Sequence, residues 1–228
     1  PRQKLRRPRN YYFDISGSSD SRKKLYVNWN LGFAESPLPN DPFYVTELGA
    51  RYRFGDRFTL SLNFTRRHDN GQFGYSFERD VLTGDPILAR RKYTDVTTLF
   101  SGTYNFTSRM NLSFRARHFW NKIQNTDFFN VLDDGNWVKR NDYVISNYDK
   151  NYNVFNLDVF YTWDFKLGSR IILGWKNWLG TDYQFLTNGI QFPTYIDNAK
   201  ELVNTPHGNE LTLRFIYFLN YEQLRSRR

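Results

Sequence analysis

The sequence predicts an all-β fold, an antiparallel transmembrane β-barrel of the outer-membrane type, and three observations predict it. Apolar and polar residues alternate over segments of roughly 10 to 14 residues, beyond the ~5–6 of soluble strands and enough for the ~9–11 of a tilted membrane strand. Aromatics make up 19% of the 228 residues, with one Met and no Cys, which is a strand-forming vocabulary. Short turns and long connections alternate through the chain, as periplasmic turns and extracellular loops do in such barrels.

Nine strands are expected in order. The first covers Asn10 to Gly17. The second, Lys24 to Ala34, sets Leu25, Val27, Trp29, Leu31 and Phe33 against Tyr26, Asn28, Asn30 and Gly32. The third, Tyr44 to Phe54, sets Leu48, Ala50 and Tyr52 against Glu47, Gly49, Arg51 and Arg53. In the fourth, from Arg57 and extending as far as Arg79, Phe58, Leu60, Leu62 and Phe64 oppose Thr59, Ser61 and Asn63. The fifth runs from Tyr93 to Phe106, the sixth from Arg109 to Ile123, and the seventh from Tyr152 to Phe165. The eighth is Arg170 to Leu179 and the ninth Asn209 to Tyr221. No helical stripe is evident.

Ser16 to Asp20, Gly55-Asp56, Thr107-Ser108 and Lys166 to Ser169 consist of turn residues. Between them fall the long connections Glu35 to Pro42, His68 to Lys92, Gln124 to Asn151 and Gly180 to Gly208. Phe54, Phe58, Tyr104, Phe106, Trp163 and Phe165 gather beside the short turns, where an interfacial aromatic girdle belongs. A soluble β-sandwich or carbohydrate-binding domain would also alternate. Its outward face, however, would carry Lys and Glu rather than Asn, Ser, Thr and Gly. Nine strands leave the first and last pointing the same way, so an all-antiparallel barrel cannot close from this set alone. Either the first is not a strand, or strands are missing upstream.

The mean hydropathy of -0.70 does not exclude a barrel, because alternate residues face a polar lumen and the average hides the apolar face. A membrane-spanning helix is excluded, since no run of about 18 apolar residues occurs. The net charge of +9 comes mostly from Arg2, Lys4, Arg6, Arg7 and Arg9 before the first strand, and from Arg225, Arg227 and Arg228 after the last. Residues 1–9 are therefore expected as a basic linker or loop, 10–221 as the barrel, and 222–228 as a basic periplasmic tail. Charge confined to the ends argues against nucleic acid as a partner. The opening PRQKLRRPR has no initiator Met and no apolar leader segment, which reads as a processed or truncated start.

The strings YVNWNLGF (Tyr26 to Phe33), ARYRFGDRFTLSLNF (Ala50 to Phe64), TYNFTSRMNLSFRARHFW (Thr103 to Trp120) and NELTLRFIYFLNYEQLR (Asn209 to Arg225) together carry a family resemblance. They resemble the C-terminal barrel domain, a domain of unknown function, of Bacteroidota outer-membrane proteins with an N-terminal sandwich like a family-9 carbohydrate-binding module. The resemblance covers nearly the whole chain and lies in overall texture, so it transfers no residue roles. It implies that the chain is the last part of a larger barrel, in agreement with the odd strand count.

His68, His118 and His207 lie in no HxxxH or HExxH spacing, and no GxSxG or glycine-rich phosphate loop occurs. A barrel-wall hydrolase would need a Ser or Asp beside His118. Asp133-Asp134-Gly135-Asn136 has oxygen ligands for calcium but reads first as a polar turn. No enzyme activity, metal or cofactor is expected. Arg51, Arg53, Arg115, Arg117 and Arg214 are expected to meet Glu47, Asp95, Asp158 and Asp164 in the lumen, as a bracing network or a channel lining without a single-sign ring. The loop aromatics Phe128, Phe129, Trp137, Tyr183, Phe185, Phe192 and Tyr195 suit glycan stacking, a protein partner or an inward plug. The expected role is structural or accessory in an envelope complex, and a transporter for glycan-derived solutes is the alternative. Expected partners are outer-membrane lipid, lipopolysaccharide and other outer-membrane proteins, with glycans as a further class.

Overall fold

The computed structural model of the chain describes residues 6, 9–38, 41–142, 148–185 and 194–219, the side chains of 77, 78 and 181–185 excepted. Its strands are β1 (Tyr11–Ser18), β2 (Leu25–Glu35), β3 (Phe43–Arg53), β4 (Phe58–Arg79), β5 (Pro86–Thr107), β6 (Met110–Val131), β7 (Trp137–Arg140), β8 (Lys150–Lys166), β9 (Ser169–Phe185) and β10 (His207–Ile216). They form one antiparallel sheet in the order β1-β2-β3-β4-β5-β6-β8-β9-β10, with β7 folded back on β6 beside this path. The sheet is open, and β1 and β10 are its edges.

All nine expected strands are present, with ends displaced by a few residues. The larger differences lie at the loop end. There β4, β5 and β6 each reach 22 residues, and β5 begins at Pro86 rather than Tyr93. These extensions lack alternation, because Arg90, Arg91, Gln124 and Asn125 are polar on both faces and register shifts interrupt the ladder between Asp69 and Gln72 and between Arg90 and Arg91. The expectation of no helix is also corrected. A two-turn helix, α1 (Tyr195–Glu201), stands in the last connection, capped by the Thr194 side chain accepting from the Asp197 amide. Its inward residues Tyr195 and Asn198 are not aliphatic, so no apolar stripe announced it.

The connections β1–β2, β3–β4, β5–β6 and β8–β9 lie at one end of the sheet and the others at the opposite, loop end, because consecutive strands on its path pair antiparallel. The expected long connection from His68 to Lys92 is corrected: β4 and β5 run through most of it and leave only residues 80–85 between them. The β8–β9 turn needs two residues, with Gly168 at φ +74° in the left-handed region that an L side chain rarely adopts. The buried core also sits at the loop end, where Ile87, Ala89 and Phe128 pack with Tyr148. Over its middle the sheet is one layer thick among the described residues. Its apolar face stays open: Leu62 is 46% exposed, Leu173 49% and Leu213 70%.

Aromatic rings line the short-turn end of that face in near-continuous contact. Tyr52, Phe54, Phe58, Tyr104, Phe106 and Tyr161 follow one another at centroid distances of 4.6, 5.0, 6.0, 4.9 and 6.3 Å. Phe165 then stacks on Phe215 at 5.5 Å and on Tyr217 at 6.4 Å. The band of apolar residues crosses the strands obliquely. The middle of its run on β2 is Trp29, whose register line reaches β6 at His118; the middle of its run on β10 is Leu213, whose line reaches β6 at Leu112. The drift of about six residues is roughly 20 Å along the strands, against roughly 34 Å for the seven steps across the sheet. The strands therefore lean roughly 30° from the perpendicular to the band, near the tilt of a sheared barrel wall.

Candidate functional site

The polar face carries the charged candidates, because strand alternation sends Arg51, Glu47, Arg53, Asp95, Arg115, Arg117, Asp158, Asp164 and Arg214 to one side. The structure separates them into three levels. At mid-sheet a register line runs Tyr26, Arg51, Ser61, Ser101, Arg115, Asp158, Lys176 and Glu210. Arg51 donates to the Ser21 carbonyl at 2.8 Å and lies 5.1 Å from the Tyr26 ring centroid. Lys176 meets Glu210 at 3.4 Å. Lys176 and Glu210 were not singled out in the sequence although both lie in expected strands, because their pairing depends on the register of β9 against β10. Nearby, Arg117 stands opposite Leu99 and Asn156, and Glu47 opposite Asn30 and Thr65.

Towards the loop end Asp95 is buried and reaches Arg67 at 3.8 Å, a partner the sequence did not single out. At the short-turn end are Arg53, Arg214 and Asp164, the last bound by Arg170 at 2.5 and 3.1 Å. Two cavities lie over the polar face. One, of about 530 Å³, is lined by Arg117, Phe119, Tyr152 and Asn156, and the other, of about 340 Å³, by Ser61, Ser101, Arg115 and Asp158.

The loop aromatics have structural duties. Phe128 is 1% exposed inside the core, and Phe129 is buried against Trp137 and Phe73 at 4.9 and 5.8 Å. Trp137 is partly exposed and donates from its indole to the Arg6 carbonyl at 3.4 Å. Tyr195 points from α1 onto the sheet, its hydroxyl 2.9 Å from His118 Nδ1 and 2.8 Å from Thr98 Oγ1. The side chains of Tyr183 and Phe185, and Phe192 altogether, lie outside the described residues, as does the tail assigned to 222–228.

Around Tyr195 a buried polar network docks α1 to the sheet. His118 Nε2 contacts Asn153 Oδ1 at 2.8 Å, Asn153 donates to the Asn198 carbonyl at 2.6 Å, and Asn151 donates to Asn198 Oδ1 at 2.7 Å. Trp120 donates to Asn151 Oδ1 at 2.7 Å, and Asn198 is wholly buried. Both ring nitrogens of His118 are thus engaged by a tyrosine and an asparagine. Gly180, at φ +133°, stands where a Cβ would meet the Asn153 carbonyl, so this close approach of β9 to β8 requires glycine.

The loop end is also stitched by charges. Arg140 bonds Asp142, Asp80 and Asn130, and the two carboxylates hold its guanidinium above its ordinary range. Asp80 is held below the ordinary carboxylate range by the amides of Thr83 and Leu82 and then by Arg140. Asp142 is lowered by Arg140. Burial pushes Asp149 up, although it accepts from the Asn125 amide at 2.7 Å. Asp134 accepts from both the amide and the side chain of Asn136, closing the expected polar turn with Gly135. Among the described residues no group of His, Asp and Glu is placed to hold a metal ion, and no helix is long and apolar enough to cross a membrane.

No curated protein and no solved structure matches the chain. A family model does match, over residues 1–228, and with an all-β antiparallel sheet and the texture noted in the strand strings the chain belongs to the family described as Domain of unknown function (DUF5916).

Proposed function

We propose that the chain forms part of the wall of an outer-membrane β-barrel and serves a structural or accessory role in an envelope complex. The observation that carries this reading is the apolar band, uncovered and oblique to strands whose other face is polar. A lone sheet in water would cover its apolar face with a second layer. Lipid covers this one, and the girdle of rings marks the interface near the short turns. The mixed signs of Arg51, Arg115, Asp158, Lys176 and Glu210 support bracing of the lumen. On this reading the chain is the C-terminal portion of a larger barrel of the Bacteroidota type, with lipid, lipopolysaccharide and neighbouring outer-membrane proteins as its surroundings.

The test uses two neighbours with opposite solvents. Leu62→Arg places a cation against lipid near the middle of the band and is expected to cost about 2–4 kcal/mol of folding free energy in bilayers. Ser61→Arg points into the polar side and is expected to change stability by less than about 1 kcal/mol. Equal tolerance of both, or a monodisperse full-length protein in detergent-free buffer, refutes the membrane reading.

A further inference from the structure

The helix α1 lies on the apolar face of the sheet, not on the polar one. Tyr195 bonds His118 and Thr98, and these belong to the register line that also holds Trp29, Leu48, Phe64 and Phe155. On β6 the run of Met110, Leu112, Phe114 and Ala116 along this face gives way to His118 and Trp120, which pass beneath α1. Trp120 is 5% exposed there, its ring 6.1 Å from that of Tyr195. The helix therefore stands at the loop-side border of the apolar band.

The contacts also fix how α1 is turned. Asn198 bonds Asn151 and Asn153, which stand opposite Lys122 and Trp120, whereas Tyr195 reaches His118, nearer the band. With about 100° between successive residues, the rotation that leads from Asn198 to Tyr195 leads on to Ala199, Val203 and Ile196. Val203 lies in the 3-10 turn Leu202–Asn204 that continues the helix. This flank faces the band and is apolar, with Ile196 58% and Val203 82% exposed. The opposite flank carries Asp197, which accepts from the Thr194 hydroxyl, and Glu201, which accepts from the Asn204 amide. Lys200 is exposed between the two flanks, away from the sheet. A helix bathed in water turns its apolar side to the core, whereas α1 buries Asn198 and presents Ile196 and Val203.

We propose that α1 is an interfacial helix on the outside of the wall, with Ile196 and Val203 in the headgroup–acyl boundary of the membrane. Asp197 and Glu201 stay on the water side, and Lys200 extends to the lipid phosphates. The proposal rests on the outer-membrane barrel reading, and its test tells the two apart.

The chain has no cysteine, so single cysteines can carry a nitroxide label without background. Full-length Ile196→Cys, Val203→Cys and Glu201→Cys are reconstituted in bilayers of phosphatidylcholine and phosphatidylglycerol. Collision of each label with oxygen, which concentrates in lipid, is compared with collision with a neutral nickel chelate, which stays in water. Leu62→Cys is the lipid standard, and Leu82→Cys, at a side chain 94% exposed between β4 and β5, is the water standard. The expected result is oxygen-dominated collision at 196 and 203, at a depth of about 5–10 Å into the boundary, and nickel-dominated collision at 201. Circular dichroism confirms that each labelled protein is folded, and two separate positions on the apolar flank must agree. Water-like collision at 196 and 203 beside a lipid-like Leu62→Cys overturns this proposal alone, as does poor access of both reagents, which means cover by protein. Water-like collision at Leu62→Cys overturns the barrel reading, and the proposal falls with it.

Discussion

Asn198 illustrates how much one side chain holds at the loop end. It is wholly buried on a helix too short to be stable alone, and its Oδ1 accepts from Asn151 while its Nδ2 donates to the Thr194 carbonyl at 2.8 Å. Asn198→Ala leaves the Asn151 amide with a lost acceptor inside the protein. The expected loss is about 1–3 kcal/mol, read as faster hydrogen exchange across α1 with the sheet amides unchanged. His118 drew notice in the sequence only as the histidine that a barrel-wall hydrolase would pair with Ser or Asp. Its partners did not, because Tyr195 and Asn153 lie 77 and 35 residues away.

At the scale of elements, the hairpin of β6 and β7 is held by ionised groups and responds to acid. Asp80 and Asp142 are lowered in the fold, so the stability they contribute is fully present above their ordinary value of 3.8 and is lost as the pH falls through the still lower folded values. Acidification below 3.8 is therefore expected to release Arg140 from its carboxylates. Hydrogen exchange at Val138 and Lys139, corrected for its intrinsic pH dependence, is expected to rise while β8 and β9 amides stay protected. Protection of the hairpin unchanged below pH 2 contradicts this assignment. The same hairpin shows the limit of alternation as a signal: Phe128 and Phe129 are both buried although adjacent, because β7 and the loop-end packing cover both faces of β6 there.

At the scale of the whole molecule, the sheet has nine strands on its path, so β1 and β10 run in the same direction. An antiparallel closure requires an odd number of further strands between them. On the barrel reading, two copies related about the barrel axis would bring β10 beside β1 in parallel, so further antiparallel strands, odd in number, are the simpler closure. The tilt derived from the oblique band is a second prediction at this scale. On the barrel reading, polarised infrared spectroscopy of oriented bilayers is expected to report strands about 30–45° from the membrane normal, and a value near zero is incompatible with the oblique band.

The sequence by itself determined the alternating stretches of the strands, their two faces and the end that carries the tight turns, since alternation and turn chemistry are local and each such stretch spells out its own period. RFGDRFTLSLNF contains its turn and both of its faces within twelve residues. Tertiary structure alone decided what meets what. It set the oblique course of the apolar band, the docking of α1 by Asn198 and the meeting of Lys176 with Glu210 across β9 and β10. The physical reason is that these depend on register and on which turns share an end, quantities fixed by pairing between strands that lie far apart in the chain.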